Sequence, residues 1–449
     1  MHQAGLQLEQ APPISVPFRF FLTAPIFLVL AAAVLLWRGP EVLESRLSPA
    51  ALAVTHLFTL GFMSMVMVGA MMQLLPVLAG APIARPRAVA AITHTGVAFG
   101  TLSLAAGFLF GAPWLLNTGT VALGIGFAVF IVAVATALWR SPVKDNTKRM
   151  LWLPVLSLVV TVALGVTLGS SLGWGMALAN VSIRYLHPGW GLLGWAGLLA
   201  IGVAYRVVPM FQITPKYPTP MMKYLAAGVF LVLALWSVAL WIDDGTWGPF
   251  AIACALALAA AYVGFAATTI VLQQLRRRRQ PDVTLSFWKV GMACLIAANV
   301  TWALRVFSPT ELPEAVDVLI GLLALLGCAG SIINGMLYKI VPFLTWFHLQ
   351  PLTGAGRLVP NMKEMLSDAD QRLQFRVHVA ALALLIAAVV WPSVLVYPAA
   401  LTLGASGALL EVNLLKVLRY VRNPMPSCLG SRSSHPQPTP ATGTSMQHK

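Results

Sequence analysis

Four of the chain's eight histidines, His56, His94, His187 and His378, stand inside long apolar stretches. An ionisable side chain is costly to hold in such surroundings, so each is a candidate for function. Neutral imidazole is a common ligand of haem iron and of copper, and metal ligation is the chemistry these residues offer. The alternative use of a lone histidine there is hydrogen-bonded packing. Met63 and Met67 follow His56 at offsets of seven and eleven residues, which on a regular helix share its face. A thioether can ligate haem iron or Cu(I), although filling gaps is the everyday use of methionine. Three further charges, Arg206, Lys339 and Glu411, also fall within apolar stretches. A pair between Glu411 and Arg206 or Lys339 would neutralise both members. The two cations can instead snorkel to the membrane surface or meet acidic groups such as haem propionates. Arg305 is the better-placed propionate partner for a haem near His56. There is no phosphate-binding loop, no Ser-His-Asp order and no His-Glu-x-x-His, so hydrolase chemistry has no support.

The elements that must position these residues are membrane helices. Of 449 residues, 58% are hydrophobic and only 10% charged, with a mean hydropathy of +0.81. A soluble domain carries about 25% charged residues, so this chain needs lipid as part of its solvent. A helix crosses the hydrocarbon layer with about 20 apolar residues. Twelve runs meet that length: 18–37, 51–79, 88–111, 114–139, 150–173, 186–211, 222–242, 248–275, 286–306, 316–345, 375–395 and 397–420. The segments 346–374 and 174–185 are the longer loops, and 424–449, rich in Pro, Ser and Thr, reads as a disordered tail. Residues 1–17 lack the basic-then-apolar pattern of a cleaved signal. Three of the four cysteines, Cys254, Cys294 and Cys328, sit in apolar runs and read as small hydrophobes.

The net charge of +15 does not indicate nucleic acid, because the basic residues lie between apolar runs. Arg85 and Arg87 follow run 2; Arg140, Lys144, Lys148 and Arg149 follow run 4; Lys216 and Lys223 follow run 6. Arg276 to Arg279 follow run 8, and Arg357, Lys363 and Arg372 follow run 10. The alternate loops hold acids at Glu41, Glu44, Asp243, Asp244, Glu311, Glu314 and Asp317. By the positive-inside rule the basic loops and both termini face the cytoplasm, which for a bacterial chain means an inner-membrane protein. His56 and His187 then share the outer leaflet, His56 roughly 8 Å below the edge of its helix at 1.5 Å per residue. His94 and His378 form a second candidate pair in the inner leaflet.

An internal repeat divides the chain. Gly61, Gly69, Gln73 and Pro76 in run 2 match Gly194, Gly202, Arg206 and Pro209 in run 6, and Gly327, Gly335, Lys339 and Pro342 in run 10. The prolines stand 133 residues apart both times. The pattern predicts three units of four helices (18–140, 150–279 and 286–422) within one membrane domain, 1–423, with helices 2, 6 and 10 nearest the centre. The glycines offer a flat stripe to a neighbouring helix.

The sequence His56-Leu57-Phe58-Thr59-Leu60-Gly61-Phe62, followed by Gly69, Pro76 and Gly80, resembles helix 2 of the NnrS family of haem- and copper-containing membrane proteins linked to the nitric-oxide response. That family carries His-Ala-His-Glu-Met-x2-Gly-Phe here. His56 matches its second histidine, Val54 replaces the first, and the Glu-Met is lacking. The Pro17-Phe18-Arg19-Phe20-Phe21 start of helix 1 is also similar. The twelve-helix, threefold organisation is similar to subunit I of haem–copper oxidases, whose second helix supplies a low-spin haem ligand. The resemblance implies an all-α membrane fold of that kind, with haem b or copper bound by His56 and His187. It also implies a role in nitric-oxide or respiratory stress beside electron-donor proteins of the respiratory chain. Oxygen reduction at a binuclear centre is not implied, because runs 7 and 10 contain no histidine. Two other readings fit the sequence: a metal-free secondary transporter, which also uses repeats and intramembrane charges, and a non-catalytic assembly partner of an oxidase.

Overall fold

The computed structural model describes residues 10–142, 146–178, 180–277, 282–350 and 359–422. The predicted tail, Cys428, Lys144, Arg278, Arg279 and Arg357 lie outside the described residues. Among the described residues, twelve helices are long and apolar enough to cross a membrane: α1 (Ser15–Arg38), α2 (Pro49–Ala79), α3 (Pro86–Phe110), α4 (Pro113–Arg140), α5 (Met150–Trp174), α6 (Ile183–Gln212), α7 (Thr219–Ile242), α8 (Pro249–Gln274), α9 (Val283–Phe307), α10 (Ala315–Leu349), α11 (Asp368–Val390) and α12 (Pro392–Val421). Local chemistry sets their ends. The Ser48 side chain accepts the Ala51 N–H at 3.1 Å and Pro49 opens α2, a start in which proline forfeits no helical hydrogen bond. Gly80, at φ 53°, closes the same helix in the left-handed conformation.

Each helix packs on the next, and α12 returns to α1, so the bundle is a closed circuit. The fourth helix of each predicted unit packs on the first helix of the following one: α4 on α5, α8 on α9, α12 on α1. The first glycine of each expected stripe has a close neighbour, whereas Gly202 in α6 meets only Met150, at 3.9 Å from an added Cβ. A Cβ added to Gly61 would strike Phe27 of α1, one on Gly194 would strike Ser157 of α5, and one on Gly327 would strike Cys294 of α9. Gly69 and Gly335 face Phe20 of α1 and Phe287 of α9 in the same manner. Small residues here let backbones approach closely, where lipid gives no hydrophobic drive for association.

Helices 2, 6 and 10 share a feature that the sequence pattern does not reveal. Each contains an eight-residue π-helical segment, Leu57–Ser64, Trp190–Gly197 and Leu323–Gly330, beginning 133 residues apart both times. The π-helix is rare and recurs at functional sites. The first, second and third repeat glycines, Gly61, Gly194 and Gly327, fall at the same place within the three segments.

Several boundaries differ from expectation. The helix predicted over 375–395 begins at Asp368, because Ser367 caps it by accepting the Asp370 N–H, and it ends at Val390, two residues before Pro392. Helix α10 continues past residue 345 to Leu349. It therefore contains a histidine, His348, exposed in the last turn on the face that carries the basic loops. The loop predicted at 346–374 is correspondingly shorter. Of the three helices expected at the centre, α2 is the most enclosed span of all, but α10 is no better enclosed than α8 or α12. Its first eight residues, Ala315–Leu322, include none that is buried.

Candidate functional site

His56 and His187 meet. Their ring centroids are 6.4 Å apart and their planes are inclined by only 16°. His56 ends the regular α-helical part of α2, immediately before the first π segment. His187 lies in the opening turns of α6, three residues before the second. The two helices do not pack closely on one another, so the imidazoles reach across a gap.

Backbone carbonyls fix both rings. His56 Nδ1 lies 2.7 Å from the Leu52 carbonyl oxygen, one turn back on its own helix. His187 Nδ1 lies 3.1 Å from the Thr161 carbonyl oxygen on α5. A carbonyl only accepts, so Nδ1 carries the proton in each ring and Nε2 keeps its lone pair. This is the arrangement of a ligating histidine whose other nitrogen is held by its surroundings. Phe108 of α3 packs beside His56 with centroids 5.5 Å apart. Gly165 of α5 lies against His187: a Cβ there would fall 2.9 Å from Cε1. Gly165, Thr161 and Phe108 went unnoticed in the sequence, since the first is one glycine among 36 and the second acts through its backbone.

The centroid separation by itself is in the range for two imidazoles that share one metal ion. A metal–imidazole nitrogen bond is about 2.0–2.1 Å. With a ring centre roughly 1.1 Å behind the nitrogen, two imidazoles on opposite sides of one ion have centroids about 6 Å apart. Both side chains are only partly buried. At the outer end of α10, all eight positions of Ala315–Leu322 are half-exposed. The pair thus presents two imidazoles whose Nε2 atoms could take a metal ion.

The remaining candidates are dispersed. Met63 is buried in the main apolar core and Met67 packs on it. The π segment takes more residues per turn than an α-helix, so an offset of seven no longer returns Met63 to the face of His56. Arg305 Nε contacts Asp317 Oδ1 at 3.3 Å, and Arg46 reaches the other oxygen of that carboxylate at 3.8 Å while lying over the Tyr185 ring. The second histidine pair does not form. His94 Nε2 bonds Thr23 Oγ1 at 2.8 Å and packs on the edge of Phe20, whereas His378 joins Ser331 and Asn334 in another part of the bundle. Lys339 pairs with Asp282 at 2.9 Å rather than with Glu411, because Asp282 caps the adjacent α9 at the same membrane face. Glu411 Oε2 is buried without a hydrogen-bond partner, and Arg206 is exposed on α6. Among the described residues, no three His, Cys, Asp or Glu side chains cluster in a way that would hold a metal ion. Compared with known proteins, the chain matches no family model and no curated protein.

Proposed function

We propose that this chain is a haem-binding membrane protein in which His56 and His187 would hold the iron, with copper as the alternative metal. The observation that carries the reading is the His56–His187 pair, two near-parallel imidazoles with their Nδ1 atoms occupied by carbonyls. A haem held by two histidines supplies one-electron transfer. The chain's own part is to fix ring tautomer and orientation through Leu52 and Thr161, and to keep the site within the bundle. Organisation as three four-helix units, like subunit I of haem–copper oxidases, is part of the proposal. It is supported by the recurring π segments, the recurring glycine contacts and the cyclic packing of fourth helices on first helices. A role in nitric-oxide or respiratory stress, served by respiratory electron donors at the bacterial inner membrane, completes it.

The test is the absorption spectrum of the detergent-solubilised protein, purified after iron-replete expression, together with iron and copper analysis. A Soret band with close to one iron per chain is the expected result. A metal-free protein without a Soret band overturns the proposal and leaves transport as the better account.

Two further outcomes follow from this reading. Gly165→Ala places a methyl group against the His187 ring, which must shift by a few tenths of an ångström. Disturbing the support of a ligand typically costs 10–100-fold in metal affinity, so cofactor retention in a competition assay should fall by about tenfold. The fold should persist, and retention equal to the wild type would show that Gly165 does not hold the ring. Reporter fusions after residue 142 should report the cytoplasm, and those after 111 and 245 the opposite side. A reversed pattern would move the histidine pair to the inner leaflet.

A further inference from the structure

A second buried polar assembly lies between α10, α11 and α12 near the basic face. Asp370, Gln374 and His378 follow one another at four-residue intervals along α11, so they share one side of that helix. Opposite them stand Tyr338, Asn334 and Ser331 on α10, and Asn413 and Ser406 on α12. At the membrane surface Asp370 pairs with Lys416 at 2.9 Å, and both side chains are about one-third exposed. One turn inward, the Asn413 amide donates to Tyr338 Oη at 3.0 Å and to the Asp370 carbonyl at 3.4 Å. Deeper again, the Gln374 amide donates to Ser406 Oγ at 3.1 Å. Innermost is His378, with Nε2 2.9 Å from Ser331 Oγ and Nδ1 3.3 Å from the Asn334 amide nitrogen. Ser331, Asn334, Gln374, His378 and Ser406 are all wholly buried. From Asp370 to His378 the track descends about 12 Å, eight residues at 1.5 Å each.

Polar side chains can serve merely as adhesive between membrane helices. Two details argue for more. Asn334 Oδ1 and Gln374 Oε1 are buried without any hydrogen-bond partner. Such an atom costs about 1–3 kcal/mol if left dry, and buried water commonly supplies the missing donor. The position of Asn334 also suits both charge states of the imidazole. As drawn, its amide N–H donates to Nδ1, which fits a neutral ring whose Nε2–H donates to Ser331. A proton added at Nδ1 makes that atom a donor, and a half-turn of the amide presents Oδ1, the oxygen now without a partner.

We propose that this track is a proton path joining the basic face of the membrane to His378. Water held at Gln374 Oε1 and Asn334 Oδ1 carries the proton from bulk solvent at Asp370–Lys416. His378 accepts it to become imidazolium and returns it by the same route. The path is closed at its inner end by apolar groups. The Phe287 ring centre lies 5.5 Å from that of His378, and beyond Ser331 the Gly330 backbone abuts Phe58 and Leu326. Other ionisable groups on the packed helices include Tyr338, the Asp282–Lys339 pair at the α9–α10 side, Lys289 and Cys294 on α9, Cys328 and His348 on α10, and Glu411, Arg419 and Tyr420 on α12. Arg372 and Arg376 are on the exposed face of α11.

The test is hydrogen–deuterium exchange of the imidazole N–H, read by solid-state NMR on the full chain labelled with [15N]histidine in lipid bilayers. His378→Gln identifies the signal by removing it. Exchange within minutes of transfer to D2O is expected, slowed at least tenfold in Gln374→Leu, which replaces the middle of the track with an apolar side chain. Asn413→Leu blocks the same route one turn nearer the surface and provides the same reading if Gln374→Leu does not fold. A ring that keeps its protium for days in the wild type overturns the proposal and makes the assembly dry packing. Wild-type exchange in a folded blocking variant overturns it equally.

Discussion

If the protein binds haem as proposed, replacing His56 by Ala should remove the Soret band, and replacing His187 by Ala should do the same. Each substitution takes away one of two imidazoles whose ring centres are 6.4 Å apart, leaving a single ligand and a hole where the second ring stood. The effect expected is loss of bound haem rather than loss of fold, because both side chains are only partly buried. His94→Ala and His378→Ala serve as controls. Their rings bond Thr23, and Ser331 with Asn334, respectively, so the spectrum should stay as in the wild type. The measurements are the visible spectrum and iron content of each purified variant, with the elution profile as a check on folding. An unchanged spectrum in either His56→Ala or His187→Ala would remove the pair from the site.

The largest effect on stability is expected at Gly119, where α3 and α4 come closest. A Cβ there would lie 2.7 Å from the backbone nitrogen of Leu104 and 3.0 Å from the carbonyl oxygen of Gly100. Gly100 and Gly107 of α3 face backbone atoms of α4 in the same way. A side chain can rotate away from such a contact, but a helix backbone must translate as a whole. Gly119→Leu should therefore separate the two helices and cost about 3 kcal/mol, the upper part of the usual range for overpacking. Gly228→Ala on α7 is the matched control, since nothing lies within 4 Å of its added Cβ. There the gain in helix propensity, about 0.5–1 kcal/mol, should leave stability equal or slightly raised. Thermal unfolding in detergent, followed by circular dichroism, separates the two. If Gly119→Leu melts with the wild type, the close α3–α4 approach is absent in the protein.

Much of this architecture is legible in the residues, because hydrocarbon thickness is a blunt constraint. A run such as 51–79 has to be a spanning helix whatever its periodicity, and the observed span, Pro49–Ala79, differs at one end only. The glycine stripe was equally legible, since Gly61 and Gly69 could only serve a close neighbour, and that neighbour is α1. The pairing of His56 with His187 could be anticipated from their shared depth. Depth alone misled for His94 and His378, which lie at one level but on helices that turn them toward Thr23 and Ser331 instead. Lys339 found Asp282, a loop acid 57 positions upstream, and no local pattern announces a contact of that range. The π segments were invisible for another reason. In a stretch as uniformly apolar as Trp190–Gly197, no alternation of polar and apolar residues exists to betray a change of helical period.

Those three segments have a consequence for how each of their helices is divided. An α-helix advances about 100° per residue, and a wider turn advances less, so a π segment shifts the phase of everything beyond it. The half of α2 that bears His56 and the half that bears Gly69 and Pro76 therefore keep independent bearings around a common axis. One half can turn His56 toward His187 while the other keeps Gly69 against Phe20 of α1. The same clutch sits at the same point in α6 and α10, and substitutions that tune one half need not turn the other.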